Sequence, residues 1–136
     1  MIEGRKKEAT IAFTYEVLER VADLRQFITN DVGRKTVAYK DYLNNDSLRQ
    51  SVREYLNIME RIAVGLNTAV YDLDIFMRIC GKSTIIYWEQ LSSVVEERRK
   101  ELQRPTLYIE YEHLVQEIKK SNYQNKRHNG DIDESL

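Results

Sequence analysis

Glu110-Tyr-Glu-His113 places a carboxylate three residues before an imidazole, the half-motif with which helical bundles hold one iron of a carboxylate-bridged pair. A complete site needs a second copy of the motif and two more inward glutamates. Only one copy occurs, and on a helical wheel Glu110 and His113 point away from the Leu107, Tyr111, Leu114 stripe, so the pair reads as solvent-facing. With one cysteine and two histidines in the chain, no zinc cluster can be assembled within it. Cys80 lies on an apolar stretch before Gly81, where a packed thiol is far commoner than an activated one.

Nucleophilic and phosphate chemistry find little more. Small helical ribonucleases of the HEPN type place an arginine five to seven residues before a histidine on one helix, and neither His113 nor His128 has that arginine. Neither GxGxxG nor GxxxxGK[ST] is present. The sequence therefore assigns no catalytic residue, no metal and no cofactor.

One polar constellation survives. Arg98 falls inside the apolar stripe of Leu91, Val95 and Leu102, and a buried arginine needs a carboxylate, because either charge left unpaired in a core costs several kcal/mol, of order 3 to 5. Glu60, on the flank of a stripe shared with Arg53, Val64 and Asn67, is the expected partner. The pair reads first as a structural strut and second as part of a pocket lined by Arg53, Asn57, Glu60 and Arg98. Basic residues cluster at two helix ends: Arg98, Arg99, Lys100 and Arg104, then Lys119, Lys120, Lys126 and Arg127. The first set is interleaved with Glu96, Glu97 and Glu101, and cations at helix C-termini complement the macrodipole. A solvated face accounts for them better than a nucleic-acid contact, which stays as the weaker reading for Arg99, Lys100, Arg104, Lys119 and Lys120. Trp88 reads as core.

The helices that must position these groups follow from periodicity. From Lys6 to Thr29, Ile11, Tyr15, Leu18, Ala22 and Phe13, Val17, Leu24, Ile28 recur at helical spacing and predict one wide buried stripe, ended by Asn30, Asp31 and Gly33. A short helix is expected within 34–45. Asn45 or Asp46 caps a helix whose stripe is Leu48, Val52, Tyr55, Met59, Ile62 and Leu66. The ten residues Ile62 to Tyr71 carry no charge, so this helix is expected to end buried on all sides, with Gly65 marking a close helix crossing at a cost of ~1 kcal/mol relative to alanine. Asp72 caps a short helix that Gly81 stops, Ser83 or Thr84 opens another that Pro105 ends, and Pro105-Thr106 begins the last, with stripe Leu107, Tyr111, Leu114, Val115 and Ile118.

The fold class is all-α, a compact bundle of four longer helices plus one or two short ones. Residues 6–120 form one domain; 121–136 read as a disordered polar tail. Residues 1–5 read as a disordered start or a scar, since Ile2-Glu3-Gly4-Arg5 is the recognition tetrapeptide of factor Xa. No stretch approaches the ~20 apolar residues of a membrane span. The net charge of −1 creates no global field for nucleic acid or membrane, and the lone cysteine suits a reducing cytoplasm. Nine tyrosines suit either a shallow core or a contact surface.

The segment "YLNIMERIAVGLNTAVYDLDIF", then Trp88, "EERRKEL" and "YIEYEHLV", resembles the bacterial and phage helical family catalogued as domain of unknown function 4760, over residues 46–118. The residues carrying the likeness are Asn57, Glu60, Gly65, Tyr71 and Asp72. The resemblance implies an all-α domain, placed after a membrane helix in larger relatives, and implies no activity. The functional expectation is a non-enzymatic helical protein working by protein contact, as a homodimer and as a phage or mobile-element factor engaging a host complex. The alternatives are a nucleic-acid module using residues 98–104 and 119–127, and an enzyme or ligand pocket around Arg53, Asn57, Glu60 and Arg98.

Overall fold

A computed structural model describes residues 3–28 and 36–129. It contains α1 (Glu3–Leu24), α2 (Tyr39–Asn44), α3 (Asp46–Asn67), α4 (Leu73–Glu101) and α5 (Ile109–Asn129), and no strand among the described residues. This is the expected all-α bundle of four longer helices and one short one. α5 extends as far as Asn129, into the segment the sequence assigns to the tail, and 130–136, like residues 1–2, lie outside the described residues.

α3 is the axis of the core. Asn45 caps it, accepting the Leu48 N–H at 3.0 Å, and Leu48, Val52, Tyr55, Met59, Ile62 and Leu66 are all buried, as their spacing requires. α1 packs on one side of α3 and α5 on the other. Between α1 and α4, Thr10 Oγ1 accepts the Asp72 N–H at 2.8 Å and Arg25 Nε donates to Tyr87 Oη at 3.3 Å, each pair 62 residues apart. Equal offsets at both ends mean that the two helices run parallel and in register.

Several expectations are corrected. α4 is one helix that passes through Gly81. The Phe76, Cys80, Thr84 and Tyr87 stripe continues across it, and packing on both sides outweighs the ~1 kcal/mol that glycine costs inside a helix. Thr84 Oγ1 and Ser83 Oγ, read as helix openers, donate back to the Cys80 carbonyl at 2.7 and 3.2 Å. α5 starts at Ile109, later than Pro105, because Gln103 and Tyr108 adopt left-handed φ of 53° and 60° in the intervening turn.

The single stripe of α1 resolves into two faces. Thr10, Thr14, Val17, Val21 and Leu24 are buried, while Ile11 and Tyr15 are 36% and 64% exposed and Ala22 is exposed as well. Threonine can line the core because each hydroxyl is satisfied within the helix: Thr10 Oγ1 donates to the Lys6 carbonyl at 2.7 Å and Thr14 Oγ1 to the Thr10 carbonyl at 2.6 Å. The uncharged end of α3 is not buried on all sides either, since Val64 is 47% exposed. Gly65 makes room for the Tyr71 ring, which a Cβ there would overlap, and not for a crossing helix.

Candidate functional site: the junction around Tyr108

α5 begins without a capping side chain of its own. Tyr108, immediately before it, is buried in a left-handed conformation that a non-glycine residue adopts only under constraint. The constraint comes from α3. Tyr108 Oη donates to Asn57 Oδ1 at 3.1 Å, and the Glu60 carboxylate accepts the N–H groups of Glu110 at 3.2 Å and Tyr111 at 2.8 Å. Two turns beyond Glu60, Asn67 Nδ2 donates to the Glu110 carbonyl and to Glu110 Oε1, both at 3.0 Å. A carboxylate on the exposed N–H groups of a helix start is favourable through both hydrogen bonding and the macrodipole. Glu60 supplies from α3 the oxygen that a capping residue would normally supply locally.

Glu60 is thus committed to α5, and no ion pair joins it to Arg98. Sequence reasoning paired the two because both fall on apolar stripes; a carboxylate can equally be satisfied by main-chain donors, which leave no trace in side-chain patterning. The Arg98 guanidinium instead lies over the Tyr42 ring, 5.9 Å from its centroid, and its Nε is buried without a hydrogen-bond partner. The Tyr42 hydroxyl is likewise buried and unpartnered. Tyr39 stacks on Tyr42, 5.6 Å between centroids, and donates its hydroxyl to Glu101; that bond to an anion is the main cause holding the Tyr39 phenol at a pKa of about 12.

Of the four residues of the expected pocket, Arg53 and Asn57 line one groove, while Glu60 and Arg98 are not among its lining residues. Burial pushes the Tyr108 phenol up, Arg98 and Arg53 pull it back and Glu60 pushes it up, so all three charges act on the ring that bonds Asn57. Beside it, Asp46, Arg49, Gln50, Arg53, Glu54 and Asn57 line a groove of about 410 Å³ along the outer face of α3. Sequence reasoning missed Tyr108 and Tyr42, whose roles depend on a left-handed turn and on where the short α2 lands.

The other singled-out residues have structural partners. Gly65 admits the Tyr71 ring, and its carbonyl accepts the Tyr71 N–H at 3.0 Å; Asp72 caps α4, accepting the Ile75 N–H at 3.1 Å. Asn57, Glu60, Gly65, Tyr71 and Asp72 therefore build the entries to α4 and α5. Trp88 is only partly buried, against the expectation of core; it meets Tyr111 edge-on at 4.9 Å and floors a groove of about 280 Å³ between α4 and α5. Arg99 donates from Nε to the Leu107 carbonyl at 2.8 Å, and its Nη2 lies 2.8 Å from Glu112 Oε1, close but off the line of a hydrogen bond. Lys100, Lys119 and Lys120 face Glu97, Glu89 and Glu117. Arg104 is exposed.

Most tyrosines serve the interior. Tyr55 Oη donates to Tyr111 Oη at 2.8 Å, and Tyr111 Oη donates to the Thr84 carbonyl at 2.8 Å, a buried chain that satisfies both phenols. Tyr15 remains outside. Among the described residues no helix is long and apolar enough to cross a membrane.

A family model described as a domain of unknown function (DUF4760) matches residues 3–118. No curated protein and no solved structure matches the chain.

Proposed function

The chain belongs to the DUF4760 family, and because that membership names no activity, we propose a function from the molecule's own surface: it is a non-enzymatic protein-contact module that self-associates through α1. The observation that carries this reading is the outward face of α1. Ile11, Tyr15, Leu18 and Ala22 fall at steps of four, three and four, and the bundle leaves Ile11, Tyr15 and Ala22 exposed and Leu18 partly so. In the α1–α4 register Ile79, 47% exposed, adds an apolar side chain level with Val17 and Leu18. Apolar side chains aligned on one helix face are the usual mark of a partner.

A second copy fits that face. About a two-fold axis beside Tyr15, an antiparallel α1 pair sets Ile11 against Leu18 of the other copy and Arg5 against Asp23 of the other copy, on the same flank of the helix. The near-neutral net charge offers no long-range repulsion. In this reading the protein works in a reducing cytoplasm, and a host complex engaged by a phage or mobile-element factor is its wider setting.

Sedimentation equilibrium tests the proposal. The wild type should fit a monomer–dimer equilibrium and Tyr15→Glu should be monomeric with an unchanged helical spectrum. A wild type that stays monomeric at high micromolar concentration, or a Tyr15→Glu variant that dimerises normally, would overturn it.

A further inference from the structure

The turn from α4 to α5 closes against its own preference. At its start the Gln103 N–H donates to the Lys100 carbonyl at 3.2 Å and the Arg104 N–H to the Arg99 carbonyl at 2.9 Å, the pattern in which a helix stops on a left-handed residue that is usually glycine. Here that residue is Gln103, at φ 53°. A side chain in this region is disfavoured, and Leu102 to Thr106 are all exposed, so the turn buries nothing in return.

What holds the turn closed is the seating of α5. Among the described residues α5 packs on α3 and α4 alone. Its ties run between elements: Glu60 accepts the Glu110 and Tyr111 N–H groups, Asn67 donates to Glu110, and the Tyr111 hydroxyl bonds Tyr55 Oη and the Thr84 carbonyl. None of these contacts requires α5 to follow α4 in the same chain. An α5 from a second copy satisfies every one.

We propose that α5 is an exchangeable helix: the turn at Leu102–Thr106 opens, Gln103 leaves the left-handed region, and two copies each seat the other's α5 on their own α3 and α4. Pro105 disfavours helical backbone at Arg104, so the opened turn bends and does not fuse α4 and α5 into one rod. Five extended residues span up to about 17 Å, enough for two connectors to pass each other. Leu102, 44% exposed in the closed form, lies on that connector and offers apolar surface to the crossing. The exchange uses no contact through α1. Opening exposes Tyr111, Leu114 and Ile118, all fully buried when α5 is seated, so it is slow until denaturant assists it.

Two single variants of the full chain test the exchange. Asn67→Cys on α3 and Glu110→Cys on α5 are mixed at high micromolar concentration, held in urea below the unfolding midpoint, returned to native buffer and treated with a short bismaleimide; the native Cys80 is buried. The mixture should give a covalent dimer and neither variant alone should, because only exchange sets position 67 of one chain beside position 110 of the other. A double variant carrying both substitutions, linked within one chain, shows that the reagent reaches. Gln103→Gly in both chains should lower the dimer constant about twenty-five-fold, a factor of about five for each chain relieved of its left-handed side chain. Sedimentation of Tyr15→Glu after the same urea cycle, with and without Gln103→Gly, reads the same equilibrium without cross-linking. Protein never exposed to urea stays closed, which keeps this test apart from that of the α1 face. No mixed dimer while the double variant links, equal dimer from either variant alone, or a constant unmoved by Gln103→Gly would overturn the exchange. So would a mixed dimer that disappears in the Tyr15→Glu background, which would assign the contact to α1.

Discussion

The Glu60 carboxylate on α3 accepts the main-chain N–H of Tyr111 at 2.8 Å, so the start of α5 is capped across the bundle and not from its own turn. The contact is a charge on a helix dipole, and its removal has a characteristic size. Glu60→Gln keeps one acceptor oxygen and should cost about 1 kcal/mol, and Glu60→Ala about 2, by urea denaturation. Arg61→Ala, on the exposed face, should cost under about 0.5. A loss of about 3 to 5 kcal/mol in Glu60→Gln would instead indicate a buried ion pair.

Gly65→Ala provides a test in which two effects oppose each other. Alanine should gain ~1 kcal/mol from helix propensity, yet its Cβ overlaps the Tyr71 ring, which Phe13 braces edge-on at 5.5 Å. Overpacking against a held ring should win, for a net loss of about 2 kcal/mol. Tyr71→Ala in the Gly65→Ala background should then cost less than Tyr71→Ala alone. Additive losses would mean that the two side chains do not meet.

Alkaline pH should destabilise the protein, and the sign follows from burial. Desolvation raises the pKa of Cys80 to about 11 and pushes Tyr55 and Tyr111 up from the ordinary phenol value. A group whose folded pKa is raised holds its proton more tightly when folded. Its stabilisation is complete below the unfolded value, about 8.5 to 10, and is lost as pH rises toward the folded value. The urea midpoint should therefore be flat from neutrality to about pH 8 and fall above it, with a shallower fall in Cys80→Ala. A midpoint that rises above pH 9 would contradict the buried placement of these groups.

What the sequence revealed and what it concealed divide along physical lines. α3 was legible residue by residue because one face is apolar at unbroken helical spacing and Asn45 sits where a cap belongs. Asn57 and Glu60 were legible as polar positions beside the α3 stripe, though not for the partners they take, since main-chain N–H groups compete for carboxylates invisibly. Gly81 misled because glycine's cost is local while the packing that outweighs it is tertiary. The threonine face of α1 was hidden because threonine looks polar until its hydroxyl bonds the preceding turn; that concealment made the outward stripe look like core.

Salt should leave self-association nearly unchanged. In the proposed dimer the contact face of α1 is apolar, and a rim pair of Arg5 with Asp23 of the other copy would be solvent-exposed and screened. The dimer constant measured between low and high salt should shift by less than about threefold. Dissociation at high salt would assign the contact to the ionic clusters.

The proposed α1 pairing is tested most directly by cysteine cross-linking, made possible because the native Cys80 is buried. Tyr15→Cys places a thiol beside the proposed two-fold axis, and Gln116→Cys places one on the exposed face of α5. Under mild oxidation at micromolar protein, Tyr15→Cys should convert to a disulfide-linked dimer while Gln116→Cys stays monomeric. Equal cross-linking of the two variants, or none from Tyr15→Cys, would contradict a self-association face on α1.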